Sequence, residues 1–97
     1  MIEGKTKSGF KFTIDERTLD DWRLIEAIND SESNDGSIVI RGMINLQTLL
    51  LGDQADALKK HIADKNDGFI PKDAILNTMI EIVQSSKDLK NSPSSEG

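Results

Sequence analysis

The sequence predicts an α+β fold, predominantly helical, in which an amino-terminal β-hairpin packs on three to four helices and a disordered carboxyl-terminal tail completes the chain. Three observations lead there. Phe10, Phe12 and Ile14 alternate with Lys11 and Thr13, the period of two that a half-buried strand needs. From Leu19 onward apolar residues recur at spacings of three and four, the period of helices with one buried face. Residues 91–97, NSPSSEG, contain no apolar side chain and so have nothing to bury.

A chain of 97 residues beginning at Met1 is expected to form one globular domain over residues 1–90. With three Phe, one Trp and no Tyr, its core must be built mainly from Ile, Leu and Val. Such a small aliphatic core leaves stability marginal, and a partner or self-association can add to it. The 17 acidic residues outnumber the 12 basic ones, giving a net charge of -5. Phosphate backbones repel such a chain, so nucleic acid is not an expected partner. Without cysteine there can be neither disulfide nor thiolate metal site, which fits a reducing compartment. No basic-then-apolar opening segment reads as a signal peptide, so none is expected. The most apolar run, residues 38–51, is broken by Arg41, Asn45, Gln47 and Thr48 and is too short and polar to span a membrane. A soluble cytoplasmic protein with no membrane partner is expected.

Each element has its own signal. Residues 2–7 and 10–14 read as strands joined at Ser8-Gly9, with Gly4 weakening the first. A lone hairpin is marginal in water, so its Phe face must rest on a helix. Residues 18–30, TLDDWRLIEAIND, supply that helix. Thr18 and Asp21 resemble a capping box, and Asp20 and Asp21 suit the positive end of the helix dipole. Its apolar stripe is Leu19, Trp22, Leu24, Ile25 and Ile28. SESNDGS then reads as a polar loop, with Ser37 available to cap the next element. Residues 38–51 combine β-branched Ile38, Val39 and Ile40 with helical spacing of Val39, Met43, Leu46 and Leu50. Fourteen residues ending at Gly52 suit a helix better than a strand. Asp53 can cap a third helix, with Ala55, Leu58 and Ile62 as its stripe. Pro71 suits the first turn of a last helix, whose face is Ile75, Met79, Ile82 and Val83 with Leu76 and Ile80 beside it.

No residues combine into catalytic machinery. His61 is the sole histidine, and a metal would need it plus carboxylates such as Asp64; a solvated helix histidine is the simpler reading. The acidic loop of Asp30, Glu32 and Asp35 lacks the spacing, central Gly and closing Glu of a calcium loop. Asp15, Glu16, Asp20 and Asp21 are explained by capping. No motif of a serine hydrolase, zinc protease or phosphate-binding loop occurs, so neither enzyme nor cofactor is expected. Phe10, Phe12, Trp22, Ile25 and Ile28 are assigned to the core, with a binding anchor as the alternative role for Trp22. Leu49, Leu50 and Leu51 are consecutive, so they cannot all face one core. With the wide last helix, they give more apolar surface than one small core absorbs.

Together, KTKSGFKFTIDERTLDDWRLIEAI resembles the small tail assembly chaperones of long-tailed bacteriophages and of prophages in Gram-positive bacteria. The likeness rests on Lys7 to Phe10, on Glu16, Leu19, Asp21, Trp22 and Arg23, and on the Ile-rich helix through Ile28. It extends to LLLG at Leu49 to Gly52 and to Gly68 and Pro71 before the last helix. The resemblance implies a non-catalytic protein of the host cytoplasm, absent from the mature virion. Such a protein binds the long, apolar, helical tape measure protein, keeps it soluble and helps recruit tail tube protein. It implies self-association too, and often a frameshifted longer product.

If so, a client helix would dock on Leu49, Leu50, Leu51, Ile75, Met79 and Ile82, with Met43 and Met79 adapting to a varied surface. The competing expectation is a small helix-turn-helix regulator, with Gly52 in the turn and Lys59, Lys60, His61 and Lys65 on the recognition helix. Asp53, Asp56 and Asp64 on that helix would oppose phosphate binding.

Overall fold

In the computed structural model, which describes residues 1–90, the chain runs β1 (Ile2–Lys5), β2 (Lys11–Ile14), a 3-10 turn (Glu16–Asp20), α1 (Trp22–Ser31), α2 (Gly36–Leu51), α3 (Gln54–Asp64) and α4 (Lys72–Lys90). The architecture is the expected α+β one, a hairpin on four helices. The expected disordered tail lies outside the described residues.

The hairpin is antiparallel, pairing Ile2 with Ile14, Glu3 with Thr13, Gly4 with Phe12 and Lys5 with Lys11. Its inner face carries Ile2, Phe12 and Ile14, with Phe10 just before β2; all four are buried. The turn is closed by Thr6, whose N–H donates to the Phe10 carbonyl at 2.9 Å and whose Oγ1 accepts the Phe10 N–H at 3.0 Å. Gly4, read from sequence as a weakness, is required here. The Phe12 ring crosses beneath it and fills the space a Cβ would occupy.

A two-stranded sheet leaves two edges of unpaired backbone groups, and the β2 edge is met by a helix side chain. On the β2 edge the Gln54 amide accepts the Thr13 N–H and donates to the Thr13 carbonyl, both at 2.8 Å. At the hairpin turn, beyond β1, Glu81 of α4 accepts the Lys7 N–H at 2.7 Å. Gln54 thus stands in for a neighbouring strand residue, which ties α3 to the hairpin.

Aspartates start the first two α-helices and the turn before them. Asp15 accepts the Arg17 N–H, Asp21 the Arg23 N–H and Asp35 the Ser37 N–H, each at 2.8–2.9 Å. The expected start at Thr18 is therefore corrected. Thr18 lies within the 3-10 turn, where its carbonyl accepts the Asp21 N–H, and α1 begins only at Trp22. Ser37 is likewise not the cap of α2; Asp35 is. Asp53 stands before α3 but makes no side-chain cap bond.

The inward stripe of α1 is Leu24 and Ala27, with Ile28 half-buried beside them. Two expected core residues are corrected: Trp22 is 68% exposed and Ile25 46%. The cause is the crossing of α1 with α2. A Cβ on Gly42 would come within 2.6–2.8 Å of the Ser31 nitrogen, the Ala27 carbonyl oxygen and the Asp30 Cβ. The helices thus meet backbone against backbone through Ala27 and Gly42. At 3.6 residues per turn, Trp22 and Ile25 lie about 140–160° round α1 from Ala27 and must point away.

The core joins the hairpin's inner face to Leu19, Leu24 and Ala27, to Met43, Leu46, Leu50 and Leu51 of α2, to Leu58 and Ile62 of α3, and to Met79, Ile82 and Val83 of α4. Gly52 at φ 51° ends α2, and Asp67 and Gly68, both at positive φ, turn the chain between α3 and α4.

Candidate protein-binding surface

The apolar surface expected on Leu49, Leu50, Leu51, Ile75, Met79 and Ile82 is not there. Leu50, Leu51, Met79 and Ile82 are buried, while Leu49 and Ile75 are partly buried against the core. The leucine triplet fits because α2 is covered on two sides. Leu50 continues the stripe of Met43 and Leu46. Leu51 lies about 100° further round, where Gln54 at the start of α3 donates to its carbonyl at 3.2 Å. The wide face of α4 is used in the same way, by the hairpin and two helices.

Large apolar side chains do reach solvent elsewhere. Trp22 and Ile25 share the outer face of α1 at i, i+3 spacing, and Ile40 and Ile44 share a face of α2 at i, i+4. Counted from the Ala27–Gly42 contact, the two pairs lie on opposite outer sides of the α1–α2 pair. Phe69, 67% exposed, and Ile70 sit in the connection to α4. That connection is braced: the Gly68 N–H donates to the Ala63 carbonyl at 2.8 Å and the Asn66 side chain to the Ile62 carbonyl at 2.8 Å. Ile80 and Leu89 are exposed on α4, about 180° apart round the helix, and so form no stripe. Scattered apolar residues are ordinary on a protein surface, whereas a tryptophan turned outward on a rigid helix is an uncommon arrangement.

Between α1 and α2 runs an open groove lined by Arg23, Glu26, Asp30, Arg41, Asn45 and Thr48. Arg41 reaches Asp30 across it at 3.5 Å. Its lining also includes Ala27, Asn29 and Leu49.

Ser8 Oγ and His61 Nε2 lie 3.1 Å apart, a contact between the hairpin turn and α3 that spacing along the chain could not reveal. The imidazole also tilts against Phe10, centroids 5.6 Å apart. A serine–histidine pair suggests nucleophilic chemistry only when a third group orients the ring inside a cleft. His61 has no second hydrogen-bond partner among the described residues, and the contact is exposed. It braces α3 on the turn. No group of three His, Asp or Glu among the described residues could hold a metal ion. On α3, Lys59 faces Asp56 at 3.9 Å and Lys60 meets Asp64 at 3.1 Å, so its cations are offset on their own helix. No helix among the described residues is long and apolar enough to cross a membrane.

The cap of α1 is also a charge pair. Asp21 receives the Arg23 side chain, at 2.7 Å from Nη2, and the Arg23 N–H. These hold its carboxyl down from an ordinary 3.8 to about 2. Hydrogen bonds from Arg17 and from Ser37 lower Asp15 and Asp35 in turn. A carboxyl depressed in the folded state adds stability above its unfolded value and loses it as pH falls toward the folded one. The melting temperature should therefore fall as pH drops from about 4 toward 2, where Asp21 protonates, with Asp15 and Asp35 adding to the loss. Asp21→Asn keeps a cap acceptor but loses the charge, so its melting temperature should fall less steeply across that window in thermal melts followed by circular dichroism.

No family model, curated protein or solved structure matches this chain.

Proposed function

We propose that this protein is a non-catalytic tail assembly chaperone of the long-tailed phage type, which binds the tape measure protein, keeps it soluble and helps recruit tail tube protein in the host cytoplasm. One observation carries the reading. Trp22 and Ile25 stand outward on a helix that is locked in place by its cap and by the Ala27–Gly42 crossing. A rigid, outward tryptophan beside an aliphatic residue is the kind of anchor that dominates protein–protein binding. The sequence likeness to the chaperones covers this same stretch, and net negative charge helps keep such a surface in solution. The helix-turn-helix alternative is disfavoured by the lysines of α3, which pair with carboxylates of their own helix.

The test is co-expression with a tape measure protein from the same genome. The wild-type chain is expected to hold the tape measure in the soluble fraction. Trp22→Ala with Ile25→Ser should return most of it to the pellet while leaving the variant's own helical circular dichroism unchanged. An insoluble tape measure beside well-folded wild-type protein would overturn the assignment.

A further inference from the structure

We infer that the outer face of α1 docks a cationic amphipathic helix, a segment with an apolar stripe flanked by Lys or Arg. This rests on the chaperone reading and adds to it the chemistry of the client segment. The apolar part of the face is Trp22 and Ile25, with Asn29 one turn further along. The charge around it is one-sided. Residues 15–32 hold seven carboxylates against two guanidinium groups; from outside the segment, Arg41 pairs with Asp30 and the amino terminus with Glu16. Both guanidinium groups are engaged locally, Arg17 on Asp15 at 3.1 Å and Arg23 on Asp21 at 2.7 Å. Glu26, adjacent to Ile25, and Glu32, at the end of α1, are exposed and have no ion pair among the described residues.

This charge selects among occupants. A second copy of the same face would set the exposed carboxylates Glu26 and Glu32 against their own like charges. An anionic membrane surface would be repelled as well. A helix whose apolar stripe covers Trp22 and Ile25, with cations reaching Glu26 and Glu32, gains burial and charge pairing together.

Trp22 is the sole tryptophan, so its emission reports occupancy directly. The full chain is titrated with an 18-residue Leu/Lys amphipathic helix, a Leu/Glu helix of the same pattern, and a scrambled Leu/Lys peptide. Binding is also followed by calorimetry for variants lacking the tryptophan. The Leu/Lys helix is expected to shift the emission to the blue saturably, with affinity falling as salt rises. Ile25→Ser and the pair Glu26→Lys with Glu32→Lys should each weaken it at least tenfold, and the Leu/Glu helix should not bind.

Equal binding of the scrambled peptide would show attraction by charge alone. Undiminished binding to Trp22→Ala with Ile25→Ser would place the site elsewhere, and concentration-dependent dimerisation that buries Trp22 would make a second copy the occupant. Each of these overturns the inference, as does absence of binding. Failure here is separable from failure of the chaperone assignment. If Glu26→Lys with Glu32→Lys keeps the tape measure as soluble as wild type does, the cationic docking is wrong and the chaperone stands.

Discussion

Ile82→Ala is expected to destabilise the protein by about 2–5 kcal/mol, the range for emptying a fully buried aliphatic site. Ile82 has no exposure and lies with Met79 and Val83 where α4 meets the rest of the core. Truncation removes about three methylene-sized groups and leaves a cavity that close-packed neighbours refill only in part. In a domain of this size each kcal/mol moves the midpoint by roughly 4–8 °C, so a fall of about 8–40 °C is expected in thermal melts. Met79→Ala should behave alike, whereas Met79→Leu, which conserves volume, should cost less than about 1.5 kcal/mol. Trp22→Ala is the contrasting measurement. As a mostly exposed residue whose backbone, not its side chain, begins α1, it should stay within about 0.5 kcal/mol of wild type. If Ile82→Ala melted like wild type and Trp22→Ala did not, the assignment of inner and outer faces would be reversed.

Gly42→Ala is expected to reverse the usual sign of a helical glycine replacement. In an open helix the change gains about 1 kcal/mol. Here the new methyl would lie 2.6–2.8 Å from two backbone atoms and a Cβ of α1, none of which is the yielding tip of a side chain. The helices must separate, at an overpacking cost of roughly 1–3 kcal/mol plus lost dispersion between Leu24, Met43 and Leu46. A net loss of about 1–2 kcal/mol is expected in urea denaturation. Gly42→Leu should be worse still. Gly36, the first residue of α2, has open space where a Cβ would sit, and Gly36→Ala should be neutral or slightly stabilising. Equal stability of the two alanine variants would mean that α1 and α2 do not cross at this contact.

Much of the framework was legible along the chain. The alternation of Phe10, Phe12 and Ile14 located β2 and its buried face, and α2 begins only two residues before the expected Ile38. Leu58 and Ile62 face inward as their spacing required. The surface was less legible. Leu51, Met79 and Ile82 counted as surplus because a tally of apolar residues does not say how many neighbours a helix has. The Gln54 contact with the β2 edge, and the Glu81–Lys7 and Ser8–His61 contacts at the hairpin turn, join residues 41 to 74 positions apart and leave no local pattern. The one available signal of which face of α1 turns outward was Gly42 inside a strong helical pattern, since a glycine there often marks a close approach.

Periodicity by itself determined which residues form strands and helices, because the pleat and the helical turn repeat at lengths the chain can display. It could not determine which of two stripes on α1 is the inner one, since Leu24 with Ile28, four apart, and Trp22 with Ile25, three apart, both fit a helical face. Only the tertiary structure decided that. Gly42 lets α2 come close enough to touch the α1 backbone, the smallest residue of α1 must face it, and Trp22 is carried to the outside.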